Sequence, residues 1–447
     1  MAEGVLRTKF VLFFLNIILV KIILLLYNYS YNYFTFFFRG IKLVSKGKIM
    51  VEPEEIGYDR TRLEVLNAHF RRLMNEGKIQ SVNYCMSPDG KVFSNTAIGK
   101  KSYVPDDKRP LEPDSIHLIA SISKIICATA IFKLCEDGFI RPLQPVCDIL
   151  EEFSEAPFNA INISHLLTHT SGMYPDGGCF PYNYPQYWDF ASQTKEGESW
   201  VANALKAGIF NKPGKEWAYC SFGFALLGEI IHRVTGMNAE TYIRKVILEP
   251  CGMTSSGFIN EFGRGELSLE FAKDFSNRLY IQNSEDEKLF EQLKSYVPGK
   301  PYDSLDGDEK FWFSVPGTAG GMFSTVEDLN RFGRMLLNGG KNENGKRVMG
   351  RKAIERMTMN YTEKEIKDNC WGSGGNYRMY ALGPDTRWNA DSHFSKGSFF
   401  HEGAGACCIL VDPVEKMVAS WFIPWAKEGW FPEALFNASA VMWSGLI

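Results

Sequence analysis

The chain spells Ser-x-x-Lys three times, at Ser45–Lys48, Ser121–Lys124 and Ser192–Lys195. The chemistry that this spacing offers is nucleophilic. A serine hydroxyl attacks only when a neighbour takes its proton, and a lysine amine does so once it is desolvated. On a helix, positions i and i+3 share a face, so the amine and the hydroxyl lie side by side. Setting separates the three copies. Ser45 lies in a basic patch without apolar periodicity, and Ser192 in the polar run Ala-Ser-Gln-Thr-Lys-Glu-Gly. Only Ser121-Ile-Ser-Lys124 stands between a strand-like apolar run (Ile116, Leu118, Ile119, Ala120) and a helix-like one. In the latter, Ile125, Ala128, Phe132 and Cys135 recur at helical spacing before the stop signal Gly138. A helix N-terminus adds unpaired N–H groups and a positive dipole end, which favour a developing oxyanion. The plain alternative is a serine cap followed by a surface lysine.

Two further stretches could complete such a site. Tyr219-Cys-Ser221 sits in a loop ahead of a helix-like run with Leu226, Leu227, Ile230 and Ile231. A phenol near a cation can share the work of a base, although Tyr219 taken alone reads as a packed aromatic. His401-Glu-Gly403 enters a strand near the C-terminus, where Gly403 and Gly405 permit close backbone approach to a ligand. The N–H just after Gly403, that of Ala404, is a candidate second oxyanion donor. A lone histidine in a glycine-rich turn is otherwise structural.

The elements that must hold these residues follow from pattern. Asp59 to Met74 predicts an amphipathic helix, and Ser81–Met86 with Lys91–Ile98 a hairpin turning at Ser-Pro-Asp-Gly. Residues 145 to 260 read as mostly helical. Residues 262 to 312 read as charged, aromatic, irregular loops over a site. Gly320-Gly321 precedes a helix that starts at Ser324–Asp328 and runs through Leu337. Ala406–Val411 and Lys416–Ile423 predict two strands, and Phe431–Trp443 a closing helix. Strands at both ends with helices between predict an α+β fold, an antiparallel sheet flanked by helices and interrupted by a mostly helical lobe.

Lys+Arg 49 against Asp+Glu 52, a formal net charge of -3 over 447 residues, argues against a nucleic-acid partner. The ten cysteines show no Cys-x-x-Cys, and the seven histidines lack metal-ligand spacing, so buried thiols and neither metal nor cofactor are expected. Of the Asn-x-Ser/Thr sites, Asn162 is expected to start the helix that follows it.

Residues 1–49 form an apolar leader, with Phe10 to Phe38 almost wholly apolar or aromatic. Three readings stand: one membrane-anchoring span over residues 10–38, a signal peptide, or a non-native extension ahead of a soluble cytoplasmic or mitochondrial protein starting at Met50. Lys21 opposes the span. If residues 10–38 do span, the following Arg39, Lys42, Lys46 and Lys48 place the rest in the cytoplasm.

Together, Ser121-Ile-Ser-Lys124, Tyr219-Cys-Ser221 and His401-Glu-Gly403 resemble, in order and spacing, the class C β-lactamase-like family of serine hydrolases. That family includes penicillin-binding carboxypeptidases, esterases, D-aminopeptidases and the mitochondrial serine β-lactamase-like protein. Supporting matches are His165-Leu-Leu-Thr-His-Thr-Ser-Gly172, Pro213-Gly214, the Leu-Leu-Gly after Tyr219, and Gly320-Gly-Met-Phe-Ser-Thr. The resemblance implies the β-lactamase/transpeptidase-like fold over residues 50–447. The α/β lobe would hold about residues 55–145 and 315–447, and the helical lobe about 146–314. It implies Ser121 as acylated nucleophile, Lys124 as its proton acceptor or polarising partner, Tyr219 as general base, and the N–H groups of Ser121 and Ala404 as oxyanion hole. His401 takes the place of the third-motif lysine. Two departures weaken β-lactam recognition: Ser221 stands where the family has Asn, and His401 where β-lactamases carry Lys. The expectation is a serine hydrolase forming an acyl-enzyme on a small ester, amide or short peptide. A true β-lactamase or D-peptidase, and a non-catalytic, self-assembling scaffold that keeps the fold, are the alternatives.

Overall fold

A six-stranded antiparallel sheet carries the molecule, in the order β1-β3-β2-β9-β8-β7. Its strands are β1 (Val44–Lys46), β2 (Ser81–Pro88), β3 (Ser94–Gly99), β7 (Phe399–Gly403), β8 (Cys407–Asp412) and β9 (Met417–Phe422). The structure is a computed structural model that describes residues 44–293, 295–300, 307–362, 365–424 and 435–447. β2, β3, β8 and β9 are buried at every position. Helices on both faces explain why these strands are buried on both sides instead of on one. α1 (Thr61–Asn75) and α6 (Phe436–Trp443) pack together on one side, where Tyr84 Oη donates to Asn67 and Tyr58 Oη to the Met442 carbonyl. On the other side, α5 (Val326–Leu337) lies against β2, β8 and β9.

The predicted hairpin, the α5 start and the C-terminal strands appear where the pattern put them. Thr325 caps α5 through its hydroxyl, which accepts the Asp328 N–H. Asn162 caps the helix Ile163–Leu167 by accepting the His165 N–H. Of the closing helix, residues 431–434 lie outside the described residues.

Three expectations differ. α2 (Ser123–Glu136) is not amphipathic: every residue from Ser123 to Phe132 is buried. Ile125, Ile126, Cys127, Ala128, Ala130 and Ile131 cover its whole circumference, which suits a helix enclosed by others. Residues 262–312 are not irregular loops. They hold α4 (Leu269–Arg278) and two more helices, Ser284–Leu293 and Gly307–Ser314. Phe275 and Leu279, four residues apart, are buried with Phe262 and Phe323 in a cluster of their own. Phe271, Phe275 and Leu279 at helical spacing were the signal there. Finally, β1 lies inside the stretch read as leader. Val44, Ser45 and Lys46 pair with Ile98, Ala97 and Thr96. The chain from Val44 to Ile447 forms one compact unit, and one large core runs through both the sheet-bearing and helical parts.

A second sheet joins the parts: β4 (His117–Leu118), β6 (Met322–Ser324) and β5 (Gly257–Phe258), in the order β4-β6-β5. It ties the chain entering α2 to the chain entering α5. All ten cysteines are free, eight of them buried. The proposed span over residues 10–38 lies outside the described residues. Among the described residues no helix is long and apolar enough to cross a membrane.

Gly333 marks where α5 meets the sheet. A methyl there would stand 2.5 Å from Val418 Cγ1 and 3.3 Å from Ile409 Cδ1. Alanine gains about 1 kcal/mol in helix propensity, but overpacking a dense core costs about 1–3 kcal/mol. The contact distance decides the sign: Gly333→Ala lowers the thermal midpoint, and an unchanged or raised midpoint would contradict this packing.

Candidate active site

Ser121 sits in a single 3-10 turn, Ala120–Ile122, between β4 and α2. Ala120 just before it has φ +44°, a left-handed conformation that L-residues other than glycine adopt at a cost of order 1–2 kcal/mol. That turn swings the Ser121 side chain out of the helix while Lys124, one turn on, points along the same face. The two meet: Lys124 Nζ lies 2.9 Å from Ser121 Oγ. Nζ also donates to the Ala319 carbonyl at 2.6 Å and stands 5.0 Å from the centre of the Tyr219 ring. Lys124 is wholly buried, whereas Ser121 is partly exposed. Burial brings the Lys124 amine down to about 8, against the raising influence of the Asp176 carboxylate.

Tyr219 precedes α3 (Ser221–Thr235). Burial holds its phenol well above the usual tyrosine value, while a hydrogen bond with Ser121 pulls the other way. The ring is fixed by neighbours: His169 at 4.4 Å, Trp371 at 5.4 Å and Trp217 at 5.9 Å between centroids. His169 Nδ1 accepts the Cys220 N–H at 3.1 Å, which locks the Tyr219 loop to the His165–Gly172 stretch. Gly172 (φ +75°) allows that stretch to pass Asn211, whose carbonyl would be 2.0 Å from any Cβ there. Ser221 faces the same cleft, but its hydroxyl and N–H both donate to Asp176, at 2.5 and 2.7 Å.

The third stretch arrives on β7, the sheet edge. A Cβ at Gly403 would lie 3.3 Å from Ser121 N and 2.4 Å from the Ile119 carbonyl. The glycine therefore lets the edge strand run against the backbone of the serine turn. Ala404 follows it in the exposed turn to β8. His401 is buried, close enough to feel the Lys124 charge, and both its nitrogens are engaged. Its Nδ1 is 2.7 Å from the Glu402 carbonyl, which can only accept, so Nδ1 carries the proton and Nε2 accepts from Tyr380 Oη at 3.3 Å. Burial brings the imidazole down to about 3, so it is neutral. The nearby guanidinium groups are paired as well: Arg378 with Asp368 and Asp385, Arg387 with Asp385 and Glu402.

Sequence reasoning thus brings Ser121, Lys124, Tyr219, Ser221 and Gly403 to one place. It missed Asp176, His169, Tyr380 and the Ala319 carbonyl. His169 lies within a stretch that was already conspicuous; Asp176 and Tyr380 carry no local pattern, and a carbonyl carries none at all. An open cleft of ≈ 490 Å³ reaches Ser121, bordered by Trp188, Ser221, Asn260, Trp312 and the segment Val315–Gly321. Among the described residues no group of His, Cys, Asp and Glu is arranged to hold a metal ion.

With this geometry in view, the chain matches the Beta-lactamase family over residues 66–431. The chain belongs to that family. It is 24% identical over 388 residues to a putative D-alanyl-D-alanine carboxypeptidase of Escherichia coli, covering 82% of each chain. It is 29% identical over 230 residues to penicillin-binding protein 4* of Bacillus subtilis, 52% of this chain and 47% of that one. The chain thus spans about half the length of that relative. Among solved structures, the hydrolase EstCE1 superposes with a TM-score of 0.65 at 15% identity, over 86% of this chain and 99% of that one. The β-lactamase/transpeptidase-like α+β fold expected from the motifs is therefore the fold of this family member.

The Gly403 contact makes a direct prediction. In Gly403→Ala the new methyl must push β7 away from the serine turn, so activity falls by about 100-fold, the scale of losing one oxyanion donor. The melting temperature also falls, as at Gly333, so activity is compared at a temperature where both proteins are folded. Full activity would show that β7 plays no part in the site.

Proposed function

We propose that this member of the Beta-lactamase family is a serine hydrolase in which Ser121 forms an acyl-enzyme with an ester-like substrate. The observation that carries the reading is the buried Lys124 amine, 2.9 Å from a Ser121 hydroxyl that opens onto the cleft. In the free enzyme Lys124, brought down to about 8, is the better proton acceptor, because the Tyr219 phenol is held high by burial. Ser121 Oγ attacks the substrate carbonyl as its proton passes to Lys124. The oxyanion is met by the N–H groups of Ser121 and Ala404. Tyr219, linked to Ser121, delivers a proton to the leaving group and then helps water to release the acyl group. Asp176 and His169 are positioning residues, the first through Lys124 and Ser221, the second through the Tyr219 loop. The scaffold alternative leaves unexplained why a lysine is buried at hydrogen-bond distance from an accessible serine.

The substrate side favours an ester over a β-lactam or a free D-peptide. Those ligands present a carboxylate near the third motif, where His401 is neutral and Arg378 and Arg387 are already neutralised. Two thioesters of hexanoic acid test this, one with mercaptoacetate and one with methyl mercaptoacetate. A charge-assisted hydrogen bond is worth about 1.5–3 kcal/mol, or roughly 10- to 100-fold. The uncharged thioester should be cleaved with the higher kcat/KM. A preference of tenfold or more for the free carboxylate would establish the carboxypeptidase reading instead. Ser121→Ala and Lys124→Ala should each lose at least about 1000-fold in activity while remaining folded; retained turnover in either overturns the assignment.

The pH profile carries its own sign. Neutral Lys124 is the working form, so kcat/KM rises with pH through about 8 and then levels. Asp176 raises that value, so Asp176→Asn moves the rising limb to lower pH. A shift to higher pH would contradict this role for Asp176.

A further inference from the structure

We propose that Trp188 and Trp312 form the acyl-group site and that it takes an extended, uncharged apolar acyl chain. The proposal rests on the serine-hydrolase reading above and names its substrate class. Trp188 and Trp312 adjoin each other on one side of the cleft, their rings tilted by 59° with centroids 5.7 Å apart. Trp188 is held edge-on to Phe222 at 5.0 Å, and Phe222 is the residue after Ser221, so this wall is anchored to the Tyr219–Ser221 segment. Trp312 is 41% exposed, a large indole left at the rim beside the nucleophile.

Of the polar side chains that border the cleft beside the nucleophile, the Ser221 hydroxyl and the Asn260 amide nitrogen are committed elsewhere. Ser221 donates to Asp176. Asn260 Nδ2 lies 2.8 Å from the Val315 carbonyl and 3.3 Å from that of Trp312, so it shapes the segment that carries the indole. The Ala319 carbonyl accepts from Lys124. No charged side chain borders the cleft among the described residues. An ionised acyl group would shed water there without a charged partner. An apolar one buries area against two rigid indoles at small entropic cost.

A chain-length series of 4-nitrophenyl esters reads this site. Each methylene that is buried contributes roughly fourfold. From acetate to hexanoate the wild-type kcat/KM should rise at least about 20-fold. Trp312→Ala and Trp188→Ala should each cut that hexanoate-to-acetate ratio to below about 5, and Trp312→Phe should keep most of it. A flat wild-type series, or alanine variants that keep the full ratio, overturns the proposal. Failure of the underlying reading looks different: no ester would be cleaved and no phosphonate would attach to Ser121. In that case, binding of the same two esters to Ser121→Ala by calorimetry decides. Hexanoate bound at least tenfold tighter than acetate supports the apolar site, and equal affinities overturn it.

Discussion

Everything in this site depends on a lysine amine taken out of water. An ammonium ion surrounded by protein loses its hydration, and burial brings Lys124 down to about 8. The structure does not leave the amine without partners. It has the Ala319 carbonyl at 2.6 Å, the Ser121 hydroxyl at 2.9 Å, the face of Tyr219, and the field of Asp176. These are enough to hold it in place without neutralising it fully. A closer carboxylate would fix the proton on nitrogen and end its use as a base, whereas the same amine in solvent would be protonated near pH 7.

Holding that arrangement requires segments far apart in sequence. The enclosed α2 supplies Lys124 and the 3-10 turn before it supplies Ser121, the β4-β6-β5 sheet sets the Ala319 loop beside them, and the His169 stretch pins Tyr219 from behind. The edge strand β7 closes the last side because Gly403 has no side chain to hold it off. The left-handed turn at Ala120 is the local strain that lets Ser121 reach the cleft while Lys124 stays inside. Packing of α5 on the sheet through Gly333 keeps these layers in register.

Much of this was legible in the sequence because the deciding residues are nucleophile, base and glycine, each with a distinctive setting. The apolar run after Ser121 separated it from Ser45 and Ser192, and the order of Tyr219 and His401 pointed to one site. The hairpin, α5 and the C-terminal strands were legible from turn signals and caps such as Asp89-Gly90 and Thr325. What was not legible depends on three-dimensional company. His401 reads by itself as a structural histidine in a glycine-rich turn, and its partners Glu402 and Tyr380, which engage both nitrogens, appear only in the fold. Asp176 lies forty-five residues before Ser221 and meets it only in the fold. The aromatic run from 262 to 312 reads as loop because its charged residues hide the helical spacing of Phe275 and Leu279. The pairing of Val44–Lys46 with β3 is a long-range contact that no local pattern announces.

The central claim is that a neutral, buried Lys124 activates Ser121. The pH dependence of Ser121 phosphonylation by a fluorophosphonate, followed by mass spectrometry of the intact protein, tests it without any assumption about substrate. The account predicts a rate that rises with pH to a plateau with its midpoint near 8, and loss of that dependence and of most labelling in Lys124→Ala. A rate that is flat between pH 6 and 10, or a midpoint above 10 as for an exposed lysine, would contradict it.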